Sequence, residues 1–191
     1  QLETLLNKIS KLNFECGLLA DALHKNRIEA AAQFEKVVVE NLRELGMPEV
    51  RFEVKIRFEQ TSNRDNFTYE SPNGMTTLGS YGYDTVEFYF SPNPGQDLTS
   101  LSKTASGGEL SRTLLALKAT AASTFQTPIF IFDEIDVGVS GRIAQKMGKM
   151  MKKLSGFKQV IAITHLAQVA AFADKHLVVV KNVDSENTTV A

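Results

Sequence analysis

Two short apolar runs constrain this chain more than any other feature. Ile129–Phe132 runs straight into Asp133 and Glu134, and residues 159–163, QVIAI, run into Thr164 and His165. Apolar runs without alternation belong to strands covered on both faces, the usual state of parallel strands in α/β sheets. Between them, residues 140–156 read as an amphipathic helix with Ile143, Met147, Met150 and Leu154 facing inward. HLVVV at 176–180 reads as a third buried strand. This alternation predicts an α/β fold, a mainly parallel sheet flanked by helices.

The first half of the chain is patterned differently. Leu2, Leu5, Ile9, Leu12, Cys16, Leu19 and Leu23 fall at alternating steps of three and four, a coiled-coil seam. Such a seam needs a partner helix, and the sequence offers no obvious second one. The seam drifts to Ile28, Ala31, Phe34, Val38, Leu42 and Leu45, which reads as the same helix packed on a core. Gly17 inside it costs some helix stability. Gly46 and Pro48 end it. Residues 51–59 then alternate, with Phe52, Val54, Ile56 and Phe58 on one face, as a half-buried antiparallel strand does. A second alternating strand is expected at 85–90. The polar, Gly-rich stretch 61–82 reads as loop, with SPNG as a turn.

Composition excludes several functions. With 43% hydrophobic and 23% charged residues in 191, the chain is an ordinary globular sequence. Its formal net charge is −1, so any nucleic-acid-binding surface must be local. Cys16 is the sole cysteine, which rules out an intrachain disulfide and fits a reducing cytosol. The opening QLETLLNKIS is unlike a signal peptide, and no apolar run approaches the length that crosses a bilayer. The chain opens on Gln1, not Met, and is expected to be a piece of something longer.

Three places carry candidate chemistry. Ser106, Gly107, Gly108 and Glu109 open a helix, where bare N–H groups and the helix dipole suit an anion; a plain capped helix start reads equally well. Asp133 and Glu134 sit at the C-terminal end of a buried strand, where ligands bind in open α/β sheets. Phosphoryl transfer needs one carboxylate on magnesium and another group to orient water. His165 ends the next strand at the corresponding level, either to touch a phosphate or to make a structural hydrogen bond. His24 and His176 have no such setting. Lys146, Lys149 and Lys153 share a helix face, with Lys152 beside them. That face could touch phosphates, although a solvated outer face is the plainer reading.

The order of these elements resembles the signature, Walker B and switch-His motifs of ABC-type ATPases. NPGQ at 93–96, LSKTASGGELSR at 101–112, IFDEIDVGVSG at 131–141 and THLAQVA at 164–170 resemble the RecN family, within the SMC-like branch. The resemblance is strong over residues 92–180 and looser over 1–91. It implies the C-terminal half of an ABC-type head at 28–191 and the end of a coiled-coil arm at 1–27. It further implies an ATPase for DNA repair and recombination, with ATP held between two heads of a homodimer in the presence of magnesium. Ser106, Gly107, Gly108 and Glu109 would meet ATP held by the opposite subunit. Asp133 would hold magnesium through water, and Glu134 would be the general base. Asp136, in the D-loop, would lie across the interface, and His165 would sense the γ-phosphate. The complete protein would act on DNA in the cytoplasm, at the nucleoid, without a membrane. No GxxxxGK[ST] occurs: Gly148-Lys149 is followed by Met150, and Ile143 stands where the first glycine belongs. In this family that loop lies N-terminal to the coiled coil, so the resemblance expects this chain to need its N-terminal half and to be inactive alone. Other readings are the nucleotide-binding subunit of a transporter, or a non-enzymatic scaffold. The arm-like seam weighs against the first and the intact motif series against the second.

Overall fold

The structure, a computed structural model, describes residues 1–191 except 64, 66, 104–106, 134, 140, 184–187 and 191, and the side chains of 181–183 and 188–190. The chain forms two compact units, Gln1–Leu110 and Ser111–Ala191.

The first unit is built on α1 (Leu2–Glu44), a single helix of 43 residues. Leu45 follows as its C-cap and Gly46, at φ 87°, turns the chain away. Strand β1 (Arg51–Phe58) pairs antiparallel with β4 (Asp84–Ser91), from Arg51 opposite Ser91 to Phe58 opposite Asp84. The short β5 (Thr99–Ser100) extends that sheet, in the order β1-β4-β5. The C-terminal part of α1 buries Val38 and Leu42 with Leu45, Phe52 and Phe90. Phe34, Phe52 and Phe88 form an aromatic cluster with centroids 5.7–6.3 Å apart. The stretch expected to be loop contains a hairpin, β2 (Thr68–Ser71) and β3 (Gly74–Thr77), closed by the SPNG turn. Four-residue strands this polar are held by their neighbours, here α1, more than by pattern.

The N-terminal part of α1 is exposed all round as far as Leu12, and one side of it meets neighbours from Asn13 onward. Leu2, Leu5, Ile9, Leu12, Leu19 and Leu23 are exposed. The other face is tied to the sheet by polar contacts. Asn13 donates to the Thr68 carbonyl. Asp21 accepts from both Tyr69 and Tyr83 hydroxyls, at 2.7 and 2.8 Å. Asp84, with no exposed side-chain surface, sits 2.7 Å from His24 and accepts from Arg27 at 2.9 Å. Glu35 accepts the Val54 backbone N–H at 2.6 Å, on the edge strand of the sheet. His24, with no role evident in sequence, is therefore part of this brace.

The second unit begins within α2 (Gly107–Thr120) and continues through β6 (Ile129–Phe132), α3 (Gly141–Ser155), β7 (Gln159–Ala162) and the single-turn α4 (Ala167–Ala170). Among the described residues its parallel sheet is the pair β6–β7, with Phe130 opposite Val160 and Phe132 opposite Ala162. Helix α3 buries Ala144, Met147, Met150, Met151 and Leu154, in line with its sequence period. Gly148 is there for space, since a Cβ would overlap the Phe172 ring. Two expectations fail. Phe130 and Phe132 are buried, but Ile129, Ile131, Ile161 and Ile163 are exposed, so one face of the pair has no cover among the described residues of the unit. HLVVV is not a strand: residues 176–180 lie outside the ladders and Leu177, Val178 and Val179 are 68–78% exposed. An apolar run records a need for cover, not which part of a molecule provides it. The chain closes on an antiparallel pair, β8 (Lys181–Val183) and β9 (Thr188–Val190).

Two measurements check the brace. Gly→Ala inside a helix ordinarily stabilises by about 1 kcal/mol. At Gly17, however, a Cβ would fall within the Tyr69 ring. Gly17→Ala is therefore expected to lower stability by about 1–3 kcal/mol, read as a lower urea midpoint; a higher midpoint would contradict this packing. The hydrogen bond to Asp21, then burial, pushes the Tyr69 hydroxyl up from 10.0 to about 12. Burial, then the same carboxylate, raises Tyr83 as well. A raised folded value means stability that is full below pH 10.0 and is lost as pH rises through about 12. Absorbance titration should show Asp21→Asn bringing both ionisations down toward the ordinary tyrosine range, and an unmoved titration would exclude Asp21 as the cause.

Candidate functional site

The parallel register of β6 and β7 builds the site. Phe132 stands opposite Ala162, and the Ile163 N–H donates to the Phe132 carbonyl at 2.9 Å. The residues just beyond each strand therefore reach the same C-terminal edge. After β6 the described residue is Asp133; after β7, they are Thr164 and His165. In open parallel sheets this edge is where ligands are held.

Asp133 is exposed and, among the described residues, its carboxylate has no hydrogen-bond or ion-pair partner. Glu134 lies outside the described residues. Ile135 is buried beneath the edge, and Asp136 is buried at 1% exposure. Its carboxylate Oδ2 accepts the Thr164 hydroxyl, and the His165 backbone N–H at 3.3 Å. The Leu166 N–H donates in turn to Thr164 Oγ1 at 3.0 Å. The Val139 N–H closes a turn onto the Asp136 carbonyl at 3.1 Å. One carboxylate thus ties the turn after β6 to the turn after β7. His165 Nδ1 is 3.5 Å from the same oxygen, while 69% of its side chain is exposed. The ring is pinned at its base and open at its far edge, as suits a group that meets a ligand rather than a core.

Ser106 lies outside the described residues. Gly107 begins α2 and is exposed, Gly108 and Glu109 are half-buried, and a Cβ at Gly107 would meet nothing within 4 Å. Among the described residues no packing calls for the glycine there. Among the described residues no group of three or more His, Cys, Asp or Glu converges as a metal cage. A lone exposed carboxylate suits magnesium, which is commonly bound by one or two carboxylates together with substrate phosphates and waters.

The structure therefore gathers Asp133, Asp136 and His165 at one edge. What sequence reading missed is that Thr164 and Asp136 act as a pair. The available signal was the polar Thr164 at the end of an apolar strand, with a second acid three residues beyond Asp133. No helix among the described residues is long and apolar enough to cross a membrane.

No family model matches the chain. Individual proteins do. DNA repair protein RecN of Streptomyces coelicolor is 41% identical over 177 residues, 93% of this chain and 30% of that protein. RecN of Treponema pallidum is 41% identical over 182 residues, covering 91% and 30%. RecN of Bacillus subtilis is 37% identical over 191 residues, covering 98% and 32%. Among solved structures, the chain is similar to the Smc head domain with a coiled coil and joint from Pyrococcus yayanosii. There the TM-score is 0.54 at 22% identity, over 86% of this chain and 27% of that one. It is also similar to the Smc head domain with an extended coiled coil from Pyrococcus furiosus, solved bound to the C-terminal domain of ScpA. There the TM-score is 0.51 at 17% identity, over 98% and 51%. These likenesses show the fold, the α/β fold of an SMC head with its long N-terminal helix. The chain spans about 30% of the length of the RecN proteins it matches, and over that span it belongs to the RecN family.

Proposed function

We propose that this chain is the C-terminal half of an ATP-hydrolysing head in a RecN-type DNA-repair protein. The observation that carries the reading is the shared C-terminal edge of β6 and β7, where the exposed Asp133 lies level with the Asp136-pinned turn of Thr164 and His165. An exposed carboxylate for magnesium and an exposed imidazole on a rigid backbone are two of the parts phosphoryl transfer requires.

On this reading ATP, with magnesium, brings the bond to be broken. Asp133 holds the metal through water. Glu134 accepts the proton of the attacking water. His165 presents its open edge to the γ-phosphate, while Asp136 holds the base of that ring in place from within the same subunit. The D-loop turn that starts at Asp136 faces a second head. Ser106 and the start of α2, Gly107 and Gly108, with Glu109 in its first turn, close over ATP held by that second head. The small residue at Gly107 supports this, because among the described residues no atom lies within 4 Å of where its Cβ would stand.

The Walker A loop is not in this sequence. We assign it, with the helix that pairs with the exposed seam of α1, to the N-terminal half of the same polypeptide. We place the head boundary near residues 27–28. The exposed isoleucine face of β6–β7 supports a missing half, since its Ile131 is 66% exposed and such a surface is otherwise costly. The complete protein would work on DNA in the cytoplasm, at the nucleoid, as a homodimer. This chain alone would not turn over ATP.

In the complete protein, Glu134→Gln should preserve ATP binding and lower turnover by about a hundredfold or more, the span of general-base contributions. Asp136→Ala should lower kcat with little change in ATP affinity, and Asp136→Asn should recover part of it by keeping one acceptor oxygen. Steady-state turnover and nucleotide titration separate the two effects. Near-normal hydrolysis by Glu134→Gln would refute the assignment of the base.

A further inference from the structure

The formal charge of −1 conceals an uneven distribution. Residues 111–191 carry ten Lys and Arg against six Asp and Glu, while residues 1–110 carry eleven against sixteen. Half of the ten cations of the second unit are on α3: Arg142, Lys146, Lys149, Lys152 and Lys153, on a helix with no acidic residue. Lys152 pairs with Asp174. The other four are exposed, and among the described residues none has an ion-pair or hydrogen-bond partner.

These four are spaced four, three and four residues apart. At 100° per residue they fall within about 60° of the helix circumference, in a straight row of roughly 16 Å. The centre of the row lies about 120° around the helix from that of the buried Met147, Met150, Met151 and Leu154. Packing thus fixes the helix and points all four cations outward together. Over roughly 16 Å a nucleic-acid duplex carries about ten phosphate charges.

We infer that this row is a docking strip for the phosphate backbone of duplex DNA, read by charge and not by sequence. The inference rests on the DNA-repair reading above and adds the surface that reading lacks. An anionic membrane fits less well. A helix that lies on a bilayer inserts an apolar face, and the apolar face of α3 is already buried. A protein partner would call for an aromatic or aliphatic anchor, and the row contains none.

The test uses the complete protein, a duplex of arbitrary sequence, and binding measured over a series of salt concentrations. Replacing Lys146, Lys149 and Lys153 by Gln should lower the slope of log affinity against log salt by about 3, roughly one for each phosphate contact. Replacing the same three by Arg should keep the slope. The Gln variant should retain its urea midpoint and its ATP turnover without DNA, since the three side chains are solvated. Three results would overturn the strip: an unchanged slope in the Gln variant, an equal loss in the Arg variant, or a loss confined to phosphatidylserine vesicles. Each of these leaves the DNA-repair reading standing. Failure of the unaltered protein to bind any duplex would overturn both.

Discussion

The parallel pairing of β6 with β7 is the constraint on which the rest of the site depends. Because Phe132 lies opposite Ala162, Asp133 after one strand and the Thr-His that follows the other emerge at one level. A shift of a single residue would turn the side chains of one strand to the opposite face and break the bridge from Asp136 to Thr164. Burial of Phe130 and Phe132 on the inner face holds the register, and the Asp136 carboxylate locks its open end. A buried carboxylate is tolerated when it is hydrogen-bonded; here Oδ2 takes both the Thr164 hydroxyl and the His165 N–H.

The same pair of strands shows what this chain does not provide for itself. Its outer face exposes Ile129, Ile131, Ile161 and Ile163, and the far end of α1 exposes leucines at heptad spacing. The two surfaces differ in kind, one a flat sheet face and the other a helical seam. On the proposed reading both are covered by a single N-terminal half, the first by the rest of the head and the second by the returning arm. The polar brace along α1 fits that picture. Asp21, Asp84 and Glu35 fix the helix to the strands through directional bonds, leaving its apolar stripe free.

Where the sequence was legible, period was the reason. The 43-residue helix, the alternating β1 and β4, and the apolar face of α3 each follow from spacing alone. The strand-end positions of Asp133 and His165 were legible because apolar runs end abruptly at polar residues, whereas Asp136 was named only through the family resemblance. The hairpin at 68–77 was not, because its strands are short and polar and are held by α1 rather than by their own pattern. HLVVV was misread because hydrophobicity indicates that a segment is to be covered without naming its cover. Gly17 looked like a blemish in a helix; its purpose is the Tyr69 ring 52 positions away, a contact that local sequence does not encode.

The central claim is that this chain holds one half of a nucleotide site, with the phosphate cradle on the other half of the polypeptide. Calorimetric titration of ATP with magnesium into this chain alone, and into the same chain joined to its N-terminal half, tests that claim directly. The account predicts heat of binding from the joined protein and none resolvable from the chain alone, because the N–H donors and lysine of a Walker A loop hold most of the phosphate charge. Equally tight binding by the chain alone would contradict it.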